Sequence, residues 1–227
     1  MPRLAVQPPT PRSFATDQTD TVVSLHRVFC VGRNYADHAR EMGNDPDRDP
    51  PFFFMKPASA VIASGATIPY PPATQDLHHE AELAVLIGTG GTDIPPGDAV
   101  SHVWGYATAN DLTRRDLQAQ AKAMRRPWDM AKGFDNSAIL GTVHKANGDL
   151  DDRELRCTVD GDIRQRSSLS AMIWPVPDIL AYLSRLVTLQ PGDLILTGTP
   201  AGVGPIARGQ TCTVEIDGLD PATVTVA

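Results

Sequence analysis

Cysteine is scarce. Cys30, Cys157 and Cys212 are odd in number and far apart along the chain, which argues against a disulfide framework and for a reducing compartment. They are expected to be buried small apolar side chains. Long apolar runs are missing too: no stretch approaches the roughly 18 residues of a membrane span. Met1 to Asp20, broken by Pro2, Pro8, Pro9 and Pro11, holds no apolar segment of signal-peptide length. A soluble, cytoplasmic protein is expected. There is no surplus of positive charge, since the formal net charge is -7. That argues against nucleic acid or an anionic membrane as partner, because both need a clustered positive face. An anionic substrate would need a local basic pocket instead.

Zinc and nucleotide signatures are also absent. A His-Glu-x-x-His motif starting at His79 needs histidine at position 83, where Leu83 stands. The other histidines and the cysteines show no ligand spacing. Gly88-Thr89-Gly90-Gly91 lacks a following helix, which Pro95-Pro96 denies it. The turn Gly198-Thr199-Pro200-Ala201-Gly202-Val203-Gly204 can aim backbone N–H groups at an anion, but it has no P-loop ending.

Proline and paired carboxylates are what the chain does have. Its 20 prolines in 227 residues exceed the usual share of about 5%, predicting many short strands and few long helices around one core. In His78-His79-Glu80-Ala81-Glu82-Leu83-Ala84-Val85-Leu86-Ile87 the two glutamates have strand spacing, so they share a face. Ala81, Leu83, Val85 and Ile87 make the other side a core face. A second strand pattern, His102 to Asn110, ends in Asp111. Three carboxylates without a thiolate suit a hard cation, Mg²⁺, Mn²⁺ or Ca²⁺, rather than zinc, and Mg²⁺ is the one expected, with Mn²⁺ possible.

Asn34 to Met42 can form a short helix, placing His38 and Glu41 three apart on one face. A carboxylate on one imidazole nitrogen leaves the other free as a base; by spacing alone the pair serves equally as a solvated ion pair. Phe52 to Met55 is an apolar strand ending at Lys56. Thr113 is the expected N-cap of a helix running to about Met124, with Arg115 and Gln118 sharing a face. Leu155 to Arg166 predicts a hairpin turning at Asp160-Gly161. Pro177 to Thr188 has amphipathic helical spacing, and Thr211 to Ile216 and Ala222 to Val226 complete the fold as strands.

Several separated motifs then stand in order: Val31-Gly32-Arg33-Asn34-Tyr35-Ala36-Asp37-His38, Met55-Lys56-Pro57, the Glu80/Glu82 pair, Asn110-Asp111-Leu112-Thr113-Arg114-Arg115-Asp116, Trp128 to Lys132, and Gly192-Asp193-Leu194-Ile195-Leu196-Thr197-Gly198-Thr199-Pro200. In these the chain resembles the fumarylacetoacetate hydrolase family, from about residue 28 to about residue 208. Phe52 to Pro57 and Tyr70 to Thr74 are most similar to its fumarylpyruvate hydrolases. The departures, Gln210 and Asp220, touch only the closing turn.

The resemblance implies an α+β, β-rich fold, a mixed β-sandwich roll with a few short helices. The chain is expected to form one catalytic domain over residues 21–227, behind a proline- and polar-rich arm at residues 1–20 that is loosely held or packs as an extended edge, and the resemblance implies a homodimer. It assigns Glu80, Glu82 and Asp111 to the metal. His38 and Glu41 become a water-activating pair on a lid helix hinged at residues 43–51, and Lys132 acts beside the metal. Arg115, Gln118 and Thr199 position substrate, and Arg33 and Lys56 are the candidates for a distal carboxylate. The activity implied is hydrolysis of fumarylpyruvate, a small anionic diketo acid, to fumarate and pyruvate, as in gentisate-type aromatic degradation. Four alternatives remain: a general acylpyruvate hydrolase, an oxaloacetate decarboxylase, a hydroxymuconate-type isomerase, or a non-enzymatic oxygen-ligand metal-binding module.

Overall fold

Strand Ala81–Ile87 has apolar residues on both sides, so it is stable only where both faces are covered. In the computed structural model, which describes residues 5–6, 9–41, 50–148, 150 and 152–227, it is buried at every position. It lies inside an eight-stranded mixed sheet, paired antiparallel with Val103–Asp111 on one side and Leu194–Leu196 on the other. Beyond these, Val28–Gly32 and Phe52–Lys56 extend one edge, while Ala138–Leu140 and Val61–Ala63 extend the other.

Ala81, Leu83, Val85 and Ile87 face the larger core, as expected. That core is closed by a five-stranded sheet, ordered Asp162–Ser168, Glu154–Val159, Thr211–Ile216, Ala222–Val226 and Ala66–Ile68, and by the helix Val176–Leu186. The opposite face is not simply the site. Past Glu82 it continues through Ala84 and Leu86 into a second core with Phe14, Val28 and Leu140. The glutamate pair therefore sits where an apolar strand face ends.

The architecture is the mixed β roll expected, and the longest helix among the described residues, Val176–Leu186, has only 11 residues. Three elements differ from expectation. The run Val22 to Val31, a single strand by its residue types, is split into Val22–Ser24 and Val28–Gly32, because His26 and Arg27 turn onto the buried Asp193, with Arg27 Nη2 2.6 Å from its Oδ2. Thr113 is not an N-cap: it lies in the short strand Thr113–Arg114, and its Oγ1 donates to the Asp111 carbonyl. Within the expected arm, Ser13–Ala15 pairs with Val22–Ser24 and buries Phe14, so the boundary at residue 20 falls inside a hairpin. The hairpin at Asp160-Gly161 forms, with both residues at positive φ. At the closing turn, Gln210 accepts from the Ala207 N–H and donates to Asp160. Among the described residues, no helix is long and apolar enough to cross a membrane.

Candidate active site

Glu80 occupies the break between strands Leu77–His79 and Ala81–Ile87. Its backbone is tied to the end of the neighbouring strand: its N–H donates to Asn110 Oδ1 at 3.1 Å, and its carbonyl accepts from the Asp111 N–H at 2.8 Å. With Glu82 opposite Ala109 in this register, Glu80, Glu82 and Asp111 share one face of two adjacent strands. All three are buried, and their oxygens lie within 4.8 Å of one another.

Three buried anions at that separation are unfavourable without cations. Lys132 ends the four-residue helix Asp129–Lys132 and places its Nζ 2.6 Å from Glu80 Oε2 and 2.8 Å from Asp111 Oδ2. Arg115, the first residue of helix Arg115–Ala123, reaches Glu80 Oε1 at 2.6 Å and donates to Gln118 Oε1 at 2.7 Å. Burial would raise the Glu80 carboxyl, but Lys132, Arg115 and His38 hold it well below the usual range. For Lys132 burial acts downward, and Asp111 and Glu80 outweigh it, keeping the ammonium charged.

Glu82 differs. Its Oε2 accepts from the Gly198 N–H at 2.7 Å, and among the described residues no lysine or arginine forms an ion pair with it. Burial, Asp111 and Glu80 push its carboxyl well above the usual range. A triad of oxygen donors with one carboxylate lacking a side-chain cation fits a divalent metal ion. The glycine-rich turn thus aims an N–H at an acidic group, but that group is the chain's own Glu82.

Arg33, His38, Arg115, Gln118, Lys132 and Thr199 line the same cleft as Glu80 and Glu82. His38 is buried in helix Ala36–Glu41, close enough for its charge to depress the Glu80 carboxyl. The side chain of Glu41 and residues 43–49 of the expected hinge lie outside what the structure describes. Lys56 is a correction. Its Nζ donates to the carbonyls of Leu112, Lys132 and Ser137 and forms an ion pair with Asp111 Oδ1 at 2.6 Å. An ammonium has three donors, so none is left for a substrate carboxylate. Lys56 instead positions Asp111 from behind.

Two site-building residues escaped the sequence reading. Asn34 is buried and donates to the carbonyls of Thr197 and Trp174, holding the Gly32-Arg33-Asn34 turn against the glycine-rich turn. Gln165, in strand Asp162–Ser168, accepts from the Ala81 N–H and pairs with His79 Nδ1. Its Nε2 donates to Thr199 Oγ1 at 2.7 Å and to the Pro200 carbonyl. A lone glutamine in a polar strand carries no signal of this. Gln165→Met is expected to lower stability by about 1–3 kcal/mol, because it strands buried polar groups on both sides. Equilibrium denaturation checks this, and an unchanged midpoint counts against the role.

Residues 27–227 match the model of the family described as fumarylacetoacetate (FAA) hydrolase C-terminal. A crystal structure of fumarylpyruvate hydrolase from Pseudomonas aeruginosa, in complex with Mn²⁺ and pyruvate, is 47% identical, with TM-score 0.95 over 99% of each chain. The mitochondrial oxaloacetate decarboxylase of Dictyostelium discoideum is 46% identical over 86% of this chain and 90% of its own. A mitochondrial oxaloacetate tautomerase of Arabidopsis thaliana is 46% identical over 85% of this chain and 87% of its own.

Proposed function

The chain belongs to the fumarylacetoacetate hydrolase family, and from that premise we propose that it hydrolyses a carbon–carbon bond of an acylpyruvate, with fumarylpyruvate as the best-fitting substrate and fumarate and pyruvate as products. The observation that carries this reading is His38. It lines the same cleft as the carboxylate triad and Lys132, which puts a base beside a cation-binding site. Hydrolysis requires a base to activate water, whereas decarboxylation consumes no water. The fumarylpyruvate hydrolase neighbour, similar over the whole chain, supports the same choice.

In this mechanism His38, with Glu41 as its proposed partner, takes a proton from water as the oxygen adds to the acyl carbonyl. The bond between that carbon and the pyruvyl methylene then breaks, and its electron pair moves into the enolate of pyruvate. The proton held by His38 is available to the enolate carbon, and fumarate is released. Lys132, kept charged by Asp111 and Glu80, faces the negative charge that develops on the enolate oxygen. Gln118 and Thr199 orient the 2-keto acid end. A divalent cation, Mg²⁺ or Mn²⁺, held by Glu80, Glu82 and Asp111 supplies Lewis-acid stabilisation of that charge when bound.

A second reading has its own support, because the oxaloacetate decarboxylase and tautomerase relatives are 46% identical and oxaloacetate carries the same 2-keto acid head. Rates measured side by side on fumarylpyruvate, acetylpyruvate and oxaloacetate separate the two. Fumarylpyruvate is expected to exceed acetylpyruvate by at least about tenfold in kcat/KM, or roughly 1.4 kcal/mol of transition-state binding. Faster decarboxylation or tautomerisation of oxaloacetate than either hydrolysis would reassign the activity.

A further inference from the structure

Helix Arg115–Ala123 presents Arg115, Gln118 and Lys122 at intervals of three and four residues, so one face carries all three. The first two have the roles described above. Lys122 lines the same cleft, yet neither the sequence motifs nor the proposed mechanism uses it. Arg33, on the Gly32-Arg33-Asn34 turn, lines that cleft as well.

These two cations differ from the others in the site. Arg115, Lys132 and Lys56 each pair with a carboxylate of the triad. Among the described residues, neither Arg33 nor Lys122 has a carboxylate partner. They rest on aromatic rings instead: the Lys122 Nζ is 5.1 Å from the centre of the Trp128 ring, and the Arg33 guanidinium is 5.2 Å from that of Phe52. The two rings pack edge to face with centres 5.5 Å apart. Ring faces attract cations but do not neutralise them. Arg33 Nε is buried without a hydrogen-bond partner, and the residue adopts the left-handed region at φ 59°, which a side chain of this size seldom does. Burial together with the charges of Arg115 and Arg33 lowers the Lys122 ammonium to about 8. Among the described residues, positive charge has been gathered here without a paired carboxylate.

We propose that Arg33 and Lys122, mounted on the Phe52–Trp128 ring pair, form a carboxylate seat that binds the acid group on the acyl side of a dicarboxylate substrate. An acylpyruvate has its 2-keto acid at the metal triad, so a second carboxylate in the same cleft needs cations outside the triad. Arg33 and Lys122 are the lining cations that meet this condition. The identity of that substrate rests on the acylpyruvate reading; the seat for a carboxylate does not.

The experiment compares the wild type with Arg33→Met, Lys122→Met and Lys122→Arg, each checked for retained Mg²⁺ affinity and circular dichroism. The readout is the ratio of kcat/KM on fumarylpyruvate to that on acetylpyruvate, which lacks the second carboxylate. The ratio is expected to fall at least about tenfold in both Met variants, as for a charge-assisted contact, and to recover largely in Lys122→Arg. A ratio within twofold of wild type in both Met variants overturns the seat. If the wild type cleaves neither acylpyruvate, the hydrolase reading fails, and calorimetric binding of fumarate to the metal-loaded protein decides the seat separately. Binding weakened at least about tenfold in the Met variants supports it, while equal binding, or none to the wild type, overturns it.

Discussion

Glu82→Gln is expected to remove divalent-metal affinity and to lower turnover by about 10³-fold or more, since Lewis-acid stabilisation supplies several kcal/mol and each 1.4 kcal/mol is tenfold in rate. The same change should raise the thermal midpoint of the metal-free protein. Glu82 is buried beside Asp111 and Glu80, which push its carboxyl well above the usual range, so the ionised form opposes folding. The sign follows from linkage. A carboxyl whose folded pKa is raised contributes stability that is present below its unfolded value and lost as pH rises through the folded one. The neutral glutamine is free of that loss and can still accept the Gly198 N–H that now reaches Oε2. Asp111→Asn should also abolish metal binding but with the opposite effect on the fold. Asp111 pairs with both Lys56 and Lys132, and neutralising it leaves buried ammonium charge uncompensated, at about 3–5 kcal/mol. Calorimetric metal titration and thermal unfolding without metal check both variants. Full activity of the wild type after exhaustive chelation would sink the metal requirement itself.

His38→Ala is expected to lower kcat by about 10² to 10⁴, the range for losing a general base, with metal affinity close to that of the wild type. His38 lines the cleft beside Glu80 and Glu82, while the triad reaches its 4.8 Å grouping without it. The two variants therefore separate two failures: Glu82→Gln loses turnover with the metal, and His38→Ala loses turnover while keeping it. A loss of metal in His38→Ala equal to that in Glu82→Gln would show that the histidine belongs to the metal site and not to water activation. Steady-state kinetics at saturating metal, together with the same calorimetric titration, distinguish these outcomes.

The carboxylate triad was legible in the sequence because its signal is local. A two-residue interval on a strand puts Glu80 and Glu82 on one face whatever surrounds them, and Asp111 follows directly on a strand pattern. The hairpin at Asp160-Gly161 and the helix Val176–Leu186 were legible for the same reason, each resting on backbone or periodic constraints within one segment. Thr113 misled because a threonine ahead of a helix satisfies the capping pattern. Strand pairing of Thr113–Arg114 with Leu77–His79 took that position instead, and the backbone of Arg114 opens the helix without a side-chain cap.

What charges meet across the fold was decided only by tertiary structure. Lys56 and Arg33 look alike along the chain, each a cation at the end of an apolar strand. Pairing of Phe52–Lys56 with Val28–Gly32 sets the Lys56 ammonium behind Asp111, where three carbonyls and the carboxylate saturate it. The left-handed turn at Arg33 instead leaves its guanidinium on Phe52, in the cleft. Lys122 and Gln165 likewise acquire their neighbours from segments far away in the sequence, Trp128 excepted. Residue type and spacing determined which chemistry the chain can hold, because ligand character and strand or helix periodicity are properties of short segments. Which cation is spent on holding the site and which faces the cleft depends on strand register and burial, since hydrogen-bond and ion-pair partners are set by proximity in space.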